Sequence, residues 1–354
     1  MRIAQVAPLA EAVPPKLYGG TERVVSWLTE ELVAQGHDVT LFASGDSRTS
    51  AKLVACAPQG LRLLGISDFT ASHLVMLDQV RRRADEFDII HLHIDVLPFP
   101  LFRDLSHKCL VTLHGRLDLP DFRPIYEAFP SMPLVSISNA QRAPLPAHMN
   151  WLATVHHGLD PDAYQFYESG GDYLAFLGRI SPEKRPDRAI EIAKKAGMPL
   201  RIAAKVDPVD EQYFRTKVAP LLDDPLIEFV GEVGGGDKRA FLGNARALLF
   251  PIDWPEPFGL VMIEAMAVGT PVIAWRNGSV PEVVSDGVSG AIVESIDDAV
   301  RAVSTPGAFS RKAVRQCFEA RFTAKRMAAD YLAAYKELLS VQKPKGPRLI
   351  ATGR

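Results

Sequence analysis

A chain of 354 residues, 47% hydrophobic and 23% charged, has an ordinary soluble composition and enough length for two domains with proper cores. Its formal net charge of −2 gives no support for nucleic acid as the main partner, which calls for a basic surface. Cys56, Cys109 and Cys317 are scattered without a C-x-x-C pair, so neither a zinc site nor a disulfide framework is indicated, and a reducing compartment is expected.

The opening MRIAQVAPLA runs straight into a strand and lacks the long apolar core of a signal peptide. No later run reaches the roughly 18 apolar residues of a membrane span. A cytoplasmic protein is expected, with at most peripheral membrane contact; Arg81-Arg82-Arg83 reads more simply as a solvated helix face. Strand candidates fall at residues 2–7, 38–43, 89–93, 109–114, 134–138 and 152–156, with helical patterns between them. Over 20–35, Val24, Leu28, Leu32 and Val33 form one apolar stripe that Gly36 ends. Gly19-Gly20-Thr21 precedes that helix; glycines there let an anion approach, although the G-x-G-x-x-G fingerprint is absent and a plain turn is the alternative.

This alternation predicts a doubly wound parallel sheet with its strand-to-helix loops on one edge. Residues 158–172, with Asp160-Pro161-Asp162 and Gly170-Gly171, have the composition of a connection. The pattern then restarts, with strand candidates at 173–178, 200–205, 226–230, 247–250, 271–274 and 291–293. Two α/β domains facing each other make a cleft, and ligands favour such interfaces. A last helical pattern, over 324–339, has Met327, Tyr331, Leu332, Tyr335 and Leu338 on one side. Residues 341–354, with two prolines and four basic residues but no periodicity, read as a mobile tail.

The most informative stretch is FPIDWPEPFGLVMIEAMAVGTPVIA, residues 250–274. Two short apolar strands bracket a helix from Gly259 to Val268, and Pro255 and Pro257 keep the approach extended. A helix starting at a strand's carboxyl end offers the first-turn amides of Phe258, Gly259, Leu260 and Val261 to a diphosphate. Glu256 lies beside that seat. Glu264, about two turns on, sits in an apolar run where a carboxylate needs a partner. Hydroxyl-bearing groups on either side of a diphosphate describe a nucleotide sugar. Arg179 and Lys184, in GRISPEKRPD after the strand at 173–178, suit a leaving diphosphate, with a solvated pair as the alternative.

Glu256 and Glu264 within EPFGLVMIEAMAVGTPVIA resemble the paired-glutamate motif of retaining glycosyltransferases of family 4. The resemblance implies the GT-B fold, with two Rossmann-like domains across a cleft: residues 1–158, completed by the helix at 324–340, and residues 159–323 as the donor domain. It implies that Gly19, Gly20 and Thr21 face the donor phosphate, that Lys205 reaches a phosphate, and that Val230, Gly231, Glu232 and Val233 offer backbone groups to the base. Family members carry a matching Arg and Lys at Arg179 and Lys184. By the same resemblance Glu264 holds ribose hydroxyls, Glu256 a hexose hydroxyl, and His114 contacts the transferred hexose. Ser138, Asn139 and Arg142 are candidate donor or acceptor contacts, although Ser-Asn is also an ordinary helix cap. His157 stands where the family usually has Asn-Gly, and its role is open. Trp254, in an approach longer than many relatives show, is a candidate for stacking on sugar or acceptor.

The expectation is therefore transfer of a hexose from a nucleoside diphosphate sugar, most simply a UDP sugar, to an acceptor hydroxyl. The resemblance implies retained configuration, front-face attack and a donor phosphate oxygen that takes the acceptor proton. No metal or other cofactor is expected, since two cations and a helix amino terminus can neutralise the leaving group. The alternatives are a nucleotide-sugar epimerase or phosphorylase on the same fold, or a non-catalytic sugar-nucleotide-binding protein. Expected partners are the nucleotide-sugar donor and a small-molecule or carbohydrate acceptor, with a homodimer left open. The loops at 10–17, 60–72 and 117–130 are where acceptor choice would lie.

Overall fold

The computed structural model describes residues 1–16 and 19–340. The expected tail at 341–354 and residue 17 of the first loop lie outside the described residues. The first sheet contains β1 (Arg2–Val6), β2 (Asp38–Ser44), β3 (Lys52–Ala57), β4 (Ile89–Leu92), β5 (Cys109–Thr112), β6 (Leu134–Ser136) and β7 (Trp151–Thr154). The second contains β8 (Leu174–Arg179), β9 (Leu200–Lys205), β10 (Ile227–Gly231), β11 (Ala247–Phe250), β12 (Val272–Trp275) and β13 (Gly290–Val293). Their orders are β3-β2-β1-β4-β5-β6-β7 and β10-β9-β8-β11-β12-β13, with every pairing parallel.

The residues explain this architecture. Ile3, Ala4 and Val6, Ile89, Ile90 and Leu92, Leu248 and Leu249, and Val272 to Ala274 are all buried. Strands apolar on both faces suit parallel sheets covered on both sides by helices, so the doubly wound α/β reading holds. The pattern does not announce β3. It is an edge strand whose residues are exposed or half-buried, so neither an apolar run nor a clean alternation marks it.

Strand order reverses between β1 and β4 in the first sheet and between β8 and β11 in the second. Crevices at such switch points open at the strands' carboxyl ends, where α/β sheets take ligands. After a bridge between Leu159 and Thr323, the helix Ala324–Ser340 packs on the first sheet. Met327, Tyr331, Tyr335 and Leu338 share a core there with Ile3, Val24, Leu28 and Leu32. Burying each of the two tyrosine rings contributes roughly 1.5–3 kcal/mol. Arg326 donates to the carbonyls of His156 and His157 at 2.7 and 2.9 Å, tying the start of this helix to the end of the first domain. Among the described residues no helix is long and apolar enough to cross a membrane.

Candidate active site

A cavity of about 520 Å³ lies between the two sheets, walled by the segments that follow β1, β5, β8, β9 and β11. Its second-domain floor is the start of the helix Leu260–Ala267. Gly259 caps that helix with φ 78°, and a Cβ there would come 2.8 Å from the Met262 methyl, so the turn needs glycine. Met262 N–H donates to Gly259 O at 3.0 Å, and the N–H groups ahead of it stand where an α-helix supplies no i−4 carbonyl. Ser279 accounts for the neighbouring carbonyls: its N–H donates to Glu256 O at 3.0 Å and its Oγ to Phe258 O at 2.8 Å.

Each cation of this wall faces a carboxylate. Lys184 donates to Glu256 Oε2, which also accepts from Trp254 Nε1 at 3.1 Å. The Lys184 ammonium lies 4.9 Å from the Trp254 ring centre, a cation–π distance. Lys205 Nζ stands 2.8 Å from Asp207, and an Arg179 nitrogen stands 3.5 Å from the same carboxylate and 4.0 Å from Asp210. Burial pushes the Asp207 carboxyl up, but Lys205 and Arg179 outweigh it and hold it below its ordinary range. Glu264, only 3% exposed, accepts on Oε1 from Lys238 at 2.5 Å and from Tyr164 at 3.2 Å. These are the partners that a carboxylate in an apolar helix requires.

The first-domain wall begins at Gly19-Gly20-Thr21, which leads into the helix Gly20–Ala34. A Cβ on Gly20 would stand 3.3 Å from the Leu260 methyl, so two helix starts from different domains meet here. Beside them His114 closes a buried chain. Tyr335 OH accepts from Gln5 Nε2 at 3.1 Å, and Gln5 Oε1 lies 2.8 Å from His93 Nε2. His93 Nδ1 lies 2.9 Å from His114 Nε2. Burial lowers the His114 pKa to about 3, and holds His93 well below its ordinary value, so both rings are neutral near pH 7. With Gln5 oriented by Tyr335, the network assigns an N–H to His93 Nε2 and to His114 Nε2, leaving His114 Nδ1 as an acceptor. His157 stacks on His114 with ring centres 5.4 Å apart and meets Phe258 edge-on at 4.8 Å.

The cavity thus brings together His114, Arg179, Lys184 and Glu256, then Gly19, Gly20, Thr21, Lys205, Glu232 and Val233, the segment from Phe258 to Val261, Glu264, His157 and Trp254. Val230 and Gly231 end β10 and are not among its lining residues. Ser138, Asn139 and Arg142 are not brought to it either. Ser138 caps the short helix Asn139–Arg142 by accepting from Gln141 N–H, and Asn139 binds Glu282. Arg142 donates to Ser136 at 2.7 Å and lies over the Trp151 ring. Sequence reasoning missed Asp207, Lys238, Tyr164 and His93, and also Arg116, which lines the cavity with its guanidinium 5.5 Å from the Trp254 ring centre. Burial of Glu264 signals that a cation must exist, but not which one. The H-x-H spacing of His91 and His93 does place both rings on one strand face.

Two doubly wound parallel-sheet domains around one cavity define the GT-B class of folds. A sucrose-phosphate synthase from Thermosynechococcus elongatus superposes with a TM-score of 0.78 over 96% of this chain and 100% of its own, at 18% identity. An Anabaena protein crystallised with UDP and glucose gives 0.69 over 95% and 100%, at 16% identity. Residues 18–162 match the model described as Glycosyltransferase Family 4 and residues 165–304 the one described as Glycosyl transferases group 1, and the chain belongs to this family. It is 29% identical over 245 residues to the D-inositol 3-phosphate glycosyltransferase of Mycolicibacterium smegmatis, covering 61% of this chain and 52% of that protein. The chain thus spans about half the length of the inositol-phosphate glycosyltransferases it matches.

Proposed function

We propose that this protein transfers a hexose from a nucleoside diphosphate sugar, with a UDP sugar as donor, to the hydroxyl of a small-molecule or carbohydrate acceptor, with retained anomeric configuration and no metal requirement. The observation that carries the reading is the meeting of Gly20 with Leu260 at one end of a cavity that also holds Arg179, Lys184, Lys205, Glu256 and Glu264. The UDP and glucose of the Anabaena neighbour support the donor assignment, and the inositol phosphate named for the mycobacterial relative supports a small polyol acceptor.

On this reading the diphosphate takes the first-turn amides of the Leu260–Ala267 helix and replaces Asp207 as the counter-charge of Arg179 and Lys205. Glu264 keeps Lys238 and Tyr164 on Oε1 and turns Oε2 to the ribose hydroxyls. Glu256 and the acceptor nitrogen of His114 hold hexose hydroxyls. As the bond from the anomeric carbon to the diphosphate breaks, the acceptor oxygen bonds to that carbon on the same face. Its proton goes to the departing phosphate oxygen.

Thermal melting in the presence of UDP, GDP, ADP and their sugars tests the donor, because a ligand that binds only the native state raises its apparent stability. The reading expects the UDP series to give the largest shift, followed by an α-linked product by NMR from an α-linked donor with EDTA present. No shift with any nucleotide would end it.

A further inference from the structure

Glu282, on the short helix Val280–Val283 of the second domain, reaches across to the first. Its Oε2 accepts from Asn139 N–H at 2.8 Å, from Asn139 Nδ2 at 3.0 Å and faces His156 Nε2 at 3.2 Å, while its Oε1 accepts from Ala140 N–H at 2.7 Å. A single carboxylate thus satisfies the amides at the start of the helix Asn139–Arg142. Burial pushes the Glu282 carboxyl up, yet these donors outweigh it and keep it charged.

Both ends of this contact lead to the cavity. On the first-domain side, Gln141 of the same helix donates to the carbonyls of Leu113 and Gly115 at 2.8 and 2.7 Å and so brackets His114. On the second-domain side, Ser279 leads into the Glu282 helix and holds the carbonyls of Glu256 and Phe258. Gly278 packs so closely on Glu256 that a Cβ would come 2.4 Å from its backbone nitrogen. Hydrogen bonds and the short backbone links between them therefore connect the residues flanking His114 to the Glu256 backbone by way of Glu282.

We propose that Glu282 is a positioning residue that sets the separation of the two cavity walls, a role that takes its catalytic meaning from the transfer reaction proposed above. Glu282 is not among the residues that line the cavity. Its removal leaves the groups that hold a diphosphate in place and frees the first domain to move against the second.

The full chain is compared with Glu282→Ala and Glu282→Gln by small-angle X-ray scattering, by UDP titration and by turnover. Glu282→Gln keeps the shape and one acceptor oxygen, and so serves if the alanine variant does not fold. The expected result is a broader distance distribution than wild type, UDP affinity within about twofold, and kcat lowered roughly 10- to 100-fold, as a displacement of about 1 Å brings. The glutamine variant should lie between wild type and alanine in both scattering and kcat. Scattering curves that superpose on wild type, or an unchanged kcat in a folded variant, overturn the proposal. The scattering needs no turnover, so failure of the transferase reading would leave that arm intact and be told apart by the absence of UDP binding in wild type.

Discussion

Lys184 and Glu256 form an ion pair inside the cavity, with Trp254 Nε1 as a second donor to the same carboxylate oxygen. Both side chains are largely shielded, so the pair holds two charges that would each be costly alone. Lys184→Ala leaves Glu256 with Trp254 as its side-chain donor among the described residues and should destabilise the fold by about 2–4 kcal/mol. Lys184→Met with Glu256→Gln removes both charges and should recover most of that loss without recovering turnover. Urea unfolding midpoints of the two variants decide this; equal midpoints would mean that the pair has no coupled role.

Glu264→Ala removes a carboxylate that two donors orient. Nucleotide binding should weaken by about 1–3 kcal/mol through lost charged hydrogen bonds. Calorimetric titration with UDP reads this directly, and unchanged affinity would remove the ribose assignment. Lys238→Met should weaken binding in the same direction, because it frees Glu264 Oε1 from its cation.

Arg179 and Lys205 share Asp207, and on the proposed reading both turn from that carboxylate to the diphosphate when the donor binds. Arg179→Ala should lower kcat by about 10²-fold, with a smaller change in KM, because the charge to be stabilised grows as the bond breaks. Steady-state kinetics at saturating acceptor separate the two. A loss confined to KM would argue against a leaving-group role.

Burial lowers the pKa of His73 to about 4, and its Nε2 accepts the Leu9 N–H at 2.9 Å. The folded value lies below the unfolded one of about 6.5, so the stabilisation is complete above pH 6.5 and is lost as pH falls toward the folded value. At pH 5 this one group should have cost about 2 kcal/mol. His73→Gln keeps an acceptor for Leu9 but does not titrate. Urea unfolding at pH 7 and pH 5 should show a smaller loss in the variant; parallel losses would exclude His73 as a source of acid sensitivity.

Much of the fold was legible because a strand buried on both faces and a helix with one apolar stripe leave short-range marks. The stretch from Glu256 to Glu264 was legible for a similar reason: prolines, a glycine with positive φ and a helix start occupy adjacent positions. The same logic gives no mark at β3, whose half-exposed edge carries no period, and leaves two readings open at Ser138, Asn139 and Arg142. There a helix cap and a donor site look alike in one dimension, and the structure turns those groups to Glu282, Ser136 and Trp151.

By itself, then, the order of residues determined two doubly wound domains, a helix start at a strand's carboxyl end, and a set of cations and carboxylates near such ends. Only the tertiary structure decided which charge meets which. Asp207 bridges Arg179 and Lys205, Lys238 answers Glu264, and Glu282 crosses to Asn139. The reason is physical. Periodicity and turn chemistry act between neighbours in the chain, whereas a buried charge chooses its partner by distance and desolvation after the elements have docked.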